Sequence, residues 1–436
     1  MKSGIRVVVN TFSQVASRGL VVLISLLTTG LLTRMFGSIG YGNYIFITSF
    51  IFIFISLSDL GVTLTGVRES SAKKDEKGAV FDQILALRSI LTLMLFFLFN
   101  LAILFLPQFA GLRLSAFIAS FVVFFLTLRT VSQGVLQANL RLDLASTLEF
   151  FASLLFLILI FVFKVLGRSV SLNLLMFFWL TSALVSAILG WFISRQYHFL
   201  KPSFVKKEMV RLFKEALPLG VYFLIFSVYD RGIDSFILKT FFPISIVGYY
   251  GLAYKIHGNL VLGAAFLMNS LFPLLSSLKD DLKKLRQIYE KAFTLLLLSG
   301  FILLSGGLIF APWVIKVIAG PGFTPSILAL RLLLGATFFS YLNHLTGFLM
   351  IALGKQKKLL AFSLIAFLVN LSLNLVFIPL FSFPAAAVIT ILTELTIFIF
   401  TQNFLARNFN LRFSPKAFGE NLGKLLNKKE HFFDKL

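Results

Sequence analysis

Residues Val228–Ile256 read VYDRGIDSFILKTFFPISIVGYYGLAYKI. This stretch sets Asp230, Arg231, Asp234 and Lys255 into segments that are otherwise apolar enough to cross a membrane. A charge at the centre of a membrane helix costs about 2.5–3.5 kcal/mol even on the mildest insertion scales, so such residues face an aqueous space, pair with one another, or function. The expected fold is therefore a helical membrane scaffold built around a charged hairpin.

The rest of the chain agrees. Its 436 residues are 58% hydrophobic and only 13% charged, which is too apolar for an average soluble protein. Apolar runs of about 20 residues, enough to cross roughly 30 Å of hydrocarbon as helix, recur from end to end. They predict twelve spans, at about 10–36, 41–68, 86–106, 114–138, 145–167, 172–197, 218–240, 248–277, 291–315, 327–352, 359–380 and 384–405. The first run is longer than a signal-peptide core and has no small-residue cleavage site, so it reads as a retained helix. With no cysteine, disulfides, thiolate metal sites and cysteine nucleophiles are excluded.

The net charge of +22 does not point to nucleic acid, because the basic residues alternate with the apolar runs. Those on one side include Lys73, Lys74, Lys77 and Arg88, then Lys206, Lys207 and Arg211, and the tail from Arg407 to Lys435. The other side holds only Arg34, Arg113, Lys164, Arg168, Lys239 and Lys316. The positive-inside rule then places both termini and the basic loops in the cytoplasm, facing anionic lipid.

The two halves look related. RMFGSIGYGNY (Arg34–Tyr44) is echoed by KTFFPISIVGYY (Lys239–Tyr250), pairing Gly42 with Gly248 and Tyr44 with Tyr250. LQANLRLDLA (Leu136–Ala145) is echoed by IALGKQKKLLA (Ile351–Ala361). Six spans per repeat give both halves the same orientation, with a pseudo-twofold axis along the membrane normal. The expected architecture is all-α and polytopic: a six-helix bundle over 1–200, a cytoplasmic interfacial linker helix over 201–217, a second bundle over 218–405, and a basic tail over 406–436, with a central cavity between the bundles. In the linker, Val205, Met209, Leu212, Phe213 and Ala216 share one face, as on a surface-lying helix.

Four cations fall inside the spans: Arg18, Arg129, Arg231 and Lys255. Arginine's planar fork suits phosphate oxygens, so one reading is a site for an anionic, phosphate-bearing substrate. The other is that each cation pairs with an intramembrane carboxylate. The carboxylates available are Asp59, Glu149, Asp230, Asp234 and Glu394. Asp59, Asp230, Asp234 and Glu394 are candidates for coupling to H+ or Na+, through a carboxyl pKa raised by burial. Glu149 lies near the inner surface, where solvation explains it.

Weaker polar signals have bland readings. Asn370 and Asn374 share a helix face, and Asn343 and His344 sit mid-helix; interhelical hydrogen bonding accounts for such groups. His257 has no metal-ligand company, and Asp280–Asp281 lies in a solvated helical loop. Pro218, Pro273 and Pro312, with Gly306–Gly307, are expected bends. No catalytic residue or metal site is predicted. The short outer loops leave no room for the catalytic domain of a glycan-processing enzyme, and no G-x-x-x-x-G-K-[ST] loop is present.

Several stretches resemble one family. NTFSQVASRGL with LLTRMFGSIGYGNY, SDLGVTLTGVRESS (Ser58–Ser71), the Val228–Ile256 stretch, FPLLSSL at Phe272, ALGKQKK at Ala352 and NLSLNLVFIPL at Asn370 are similar to polysaccharide or O-antigen flippases. These belong to the multidrug/oligosaccharidyl-lipid/polysaccharide exporter superfamily. The likeness covers about 1–410. It departs where the family often has Gly-x-x-Gly-Ala-Ala and this chain has FSFPAAAVIT, which leaves the geometry of that turn open. The resemblance implies a flippase for undecaprenyl-diphosphate-linked oligosaccharide, working by alternating access in a bacterial or archaeal cytoplasmic membrane. Its implied partners are the lipid-linked oligosaccharide, membrane lipids and a polysaccharide polymerase. A lipid II flippase, whose relatives resemble fourteen-span proteins, a multidrug antiporter and a polytopic glycan-processing enzyme are the alternatives.

Overall fold

The computed structural model describes residues 3–72, 78–231 and 233–426. They form fourteen α-helices joined by short turns, with no strand among the described residues. In order these are α1 Ser3–Asp59, α2 Val62–Ala72, α3 Ala79–Phe105, α4 Arg113–Ser120, α5 Val122–Ala138, α6 Leu142–Val165, α7 Leu172–Ser194, α8 Lys206–Arg231, α9 Ile233–Phe241, α10 Ile244–Ser277, α11 Leu282–Ala319, α12 Ser326–Ala352, α13 Gln356–Phe409 and α14 Pro415–Leu426.

Among the described residues, nine helical segments are long and apolar enough to cross a membrane. Two of them, Gly19–Ser70 and Gln356–Phe409, have 52 and 54 residues, more than twice what one crossing needs. Each carries a mid-length break of backbone outside the helical region: α1 at Gly37 (φ 60, ψ −170) and α13 at Ser382 (φ 59, ψ −149). Both breaks make hairpins. Tyr41 hydrogen-bonds back to Thr29 across the first, and Asn370 Nδ2 donates to Thr393 Oγ1 (3.0 Å) across the second. With α8–α9 in the place of the seventh span, the expected series of twelve is present, and the protein is a multi-pass membrane protein.

Several expected boundaries move. Helix α3 begins at Ala79 instead of 86, which moves Arg88 from the first turn to the third. The second expected span breaks at Leu60–Gly61, both at positive φ, giving α2 as a separate helix. Helices α8 and α11 run unbroken through Pro218 and Pro312. The segment expected as a separate surface helix, 201–217, is instead mostly the first half of α8. Part of its apolar face packs on protein: Leu212 and Ala216 are fully covered in a cluster with Val62, Phe81, Ile84, Val131 and Val135, while Val205 at the start of the segment is exposed.

The chain divides into two compact units, Met1–Gly248 with Ile318–Gly322, and Tyr249–Val317 with Phe323–Leu436. Because α8 is packed on the N-terminal helices, it and α9 belong to the first unit, so this division lies further along the chain than the expected boundary at 200. In the first unit α5 is central, packed on α3, α6 and α7. In the second, α12 packs along α13.

Candidate functional site

The first unit contains a buried ion pair at the α1–α2 break. Glycine at 61 permits the positive φ there, and α8 approaches closely: a Cβ on Gly61 would lie 3.0 Å from the Gly220 backbone nitrogen, and one on Gly220 would lie 2.1 Å from the Leu60 carbonyl oxygen. The break strands helix-end groups, and Arg88 from α3 meets them. Its Nε donates to the Ser58 carbonyl (3.3 Å) and its Nη1 donates to Thr63 Oγ1 (2.8 Å) and Thr130 Oγ1 (2.6 Å). The same Nη1 lies 3.0 Å from Asp59 Oδ1. Thr63 donates to Asp59 in turn. The two partners differ in access: the Arg88 side chain is 1% exposed and that of Asp59 33%. In a low-dielectric surround this arrangement keeps both charges, and removing either would strand the other.

One residue after Arg129, Thr130 faces Arg88, so Arg129 itself points elsewhere on α5. It interacts electrostatically with Glu149 on α6, which is exposed, and its buried Nε has no hydrogen-bond partner among the described residues.

The second unit contains an uncharged amide network around one carboxylate. Asn343 Nδ2 on α12 donates to both the backbone oxygen (2.8 Å) and Oε2 (2.6 Å) of Glu394. On the neighbouring arm of α13, Asn374 Nδ2 donates to Asn370 Oδ1 (2.9 Å), and Asn370 reaches Thr393. Asn370, Asn374 and Glu394 are all buried. Hydrogen bonding between helices was expected of these asparagines from the sequence; Asn343 bonds Glu394 itself and Asn370 bonds Thr393, the residue before it. His257 is also buried, its Nδ1 2.8 Å from Thr337 Oγ1.

The remaining site residues are dispersed. Asp234 is buried in the first turn of α9, and Lys255 is exposed on α10. The side chains of Arg18, Asp230 and Arg231 lie outside the described residues. Asp59 is held by Arg88, a residue outside the predicted set. Arg88 was missed because its helix was expected to start at 86, which left it among the loop cations. Gly78 before the apolar run and Asp82 in the first turn were the available signals of an earlier start. Among the described residues, no three His, Asp or Glu side chains gather as a metal site.

On the basic-loop side, the connection into α8 is strapped to the first unit. Asp82 Oδ1 lies 2.9 Å from His198 Nε2 and accepts from the Lys201 backbone N–H (2.9 Å), while Ser203 N–H donates to the Asp82 carbonyl (3.0 Å). Arg211 grips Glu69 of α2 with two nitrogens (2.9 and 3.2 Å) and also meets Glu208 and Glu215. Its hydrogen bonds to these carboxylates, Glu69 first, raise its pKa further above the ordinary arginine value.

Comparison with known proteins gives a family and a fold. The family model described as polysaccharide biosynthesis protein matches residues 7–279. No curated protein sequence matches the chain. Among solved structures, the lipid II flippase MurJ in an inward closed conformation matches with a TM-score of 0.78, covering 96% of this chain and 94% of its own, at 15% identity. An inward-facing multidrug resistance MATE family transporter of the MOP superfamily matches at 0.74, covering 91% and 98%, at 14% identity. An outward-facing MATE transporter of that superfamily matches at 0.63, covering 93% and 95%, also at 14% identity. At such identities the likeness establishes the shared two-lobe, twelve-helix fold.

Proposed function

The chain belongs to the polysaccharide biosynthesis protein family, and from that premise we propose that it is a flippase for undecaprenyl-diphosphate-linked oligosaccharide, working by alternating access in the cytoplasmic membrane with both termini in the cytoplasm. The family match over residues 7–279 carries this reading, and the fold shared with a lipid II flippase supports it. In this reading Arg18, Arg129, Arg231 and Lys255 receive the diphosphate. Arg129, with a buried Nε left unpartnered among the described residues, has donor capacity to spare for an oxyanion. Glycosyltransferases would supply the substrate and a polymerase would consume the product.

Coupling to H+ or Na+ is assigned to the carboxylates Asp59, Asp230, Asp234 and Glu394. Glu394 is the better supported of the described pair Asp59 and Glu394. Glu394 accepts from the Asn343 amide, whereas protonating Asp59 strands the buried guanidinium of Arg88. The second reading is a multidrug antiporter, favoured by the MATE fold likeness. Four basic residues at the candidate substrate positions count against organic cations as substrates.

A flipping assay in liposomes separates the two. The expected result is translocation of a diphosphate-linked oligosaccharide, reduced by R129A or K255A in protein that stays folded. Drug efflux without any lipid-linked substrate being moved would sink the flippase assignment.

A further inference from the structure

Helix α11 has 38 residues, about 57 Å at helical rise, and so overshoots a hydrocarbon core of roughly 30 Å. Its first three turns carry Lys283, Lys284, Arg286 and Lys291 and form a platform on the basic-loop side. The tail returns to this platform. After the left-handed cap at Asn410, Leu411 is buried and its carbonyl accepts from Gln402 Nε2 (2.9 Å), whose Oε1 accepts from Tyr289 of α11 (3.0 Å). Helix α14 then lies on α11, with Asn421 Nδ2 3.4 Å from Thr294 Oγ1.

Between the two runs a groove floored by rings. Tyr289, Phe293, Phe413 and Phe418 follow one another at centroid distances of 5.7, 5.2 and 6.0 Å. Arg412 and Glu290 line the same groove. Glu290 is engaged by Arg286 (2.9 Å), so its charge is neutralised. Arg412 is exposed and makes no ion pair among the described residues. Lys416, one turn on and also exposed, sits in the first turn of α14, where the helix end itself favours an anion. Phe413 is 44% exposed beside these cations.

We propose that this groove binds an anionic phospholipid of the surrounding bilayer. Arg412 and Lys416 hold the phosphate, and Phe413 and Phe418 lie against the glycerol and upper acyl segment. The pairing of cations with an uncovered aromatic floor selects a lipid over a soluble anion, because a free phosphate would leave Phe413 in water. The inference needs only that the chain is membrane-embedded and is independent of the transported substrate.

The test is native mass spectrometry of the full chain released from mixed phosphatidylglycerol and phosphatidylcholine vesicles. The wild type should retain phosphatidylglycerol preferentially. R412A and K416A should each lower retention about five-fold, R412K should keep most of it, and K316A, on the opposite side, should change nothing. Equal retention in R412A–K416A would overturn the proposal, as would equal retention of phosphatidylcholine. Displacement of the lipid by inorganic phosphate would show a soluble-anion site and also overturn it. Should R412A prove unstable, R412E in a monodisperse preparation gives the same reading, and a flipping assay that fails while lipid is retained counts against the transport reading alone.

Discussion

Gly42 and Gly248 meet backbone to backbone. A Cβ on Gly42 would lie 2.2 Å from the Ile244 carbonyl oxygen, and one on Gly248 would lie 2.2 Å from that of Ser38. Each glycine thus faces the carbonyl four residues before the other, so the two positions paired by the internal repeat are reciprocal in space as well. No L side chain fits without moving a helix. G42A and G248A should each destabilise the protein by about 1–3 kcal/mol through overpacking. G306A, where a Cβ meets nothing within 4 Å, should be tolerated. Thermal unfolding followed by light scattering checks this, and equal midpoints for all three variants would refute it.

The Arg88–Asp59 pair supports a second prediction. R88M leaves a carboxylate in the membrane facing only Thr63, and D59N leaves a guanidinium that is 1% exposed without its counter-charge. Either change should cost about 3–5 kcal/mol, while the double variant D59N/R88M should recover much of the loss. Additive losses in the double variant, read from melting midpoints, would mean that the residues act separately.

Ser382 occupies backbone space that is essentially reserved for glycine, and its Oγ is buried without a partner among the described residues. Gly37 has nearly the same angles at the corresponding break of α1. S382G should therefore stabilise the chain by about 1–3 kcal/mol. An unchanged or lower midpoint would show that the serine is not strained there.

The strap into α8 is exposed to proteolysis in proportion to its opening. An added Cβ at Gly78 would lie 1.9 Å from His198 Nδ1, so G78A must push the ring off Asp82. G78A and D82A should both speed tryptic cleavage after Lys206, the exposed first residue of α8, to similar extents. Wild-type cleavage rates in both would show that the strap is held by other contacts.

For Glu394, the amide variant separates structure from coupling. E394Q keeps an oxygen for Asn343 Nδ2, so the fold should survive. If Glu394 is the coupling acid, flipping by E394Q should stop responding to an imposed proton or sodium gradient. A normal gradient response would remove Glu394 from the mechanism.

The spans, the internal repeat and the family resemblance were legible because they rest on patterns of single residues: apolar runs, basic loops, and glycines at matched offsets. The departure at FSFPAAAVIT was visible too, although only the backbone angles showed that Ser382 bears it. Asp59 and Glu394 could be picked out as charges at membrane depth. Their different circumstances could not, because the partners come from other helices. Arg88 is 29 residues from Asp59, and Asn343 is 51 from Glu394. The packing of Leu212 and Ala216 on protein was hidden for the same reason, since an apolar helical face looks alike whether lipid or protein covers it.

A twelve-span, two-repeat membrane protein with an excess of basic residues in alternate loops can thus be read from the chain alone. Hydrophobic periodicity and charge placement are local properties, and the bilayer enforces them span by span. Which charges are neutralised, which glycines touch, and that Leu212 and Ala216 face protein became visible in the packed helices. Those outcomes depend on which helices lie within a few ångströms of each other, and no single stretch of the chain encodes that.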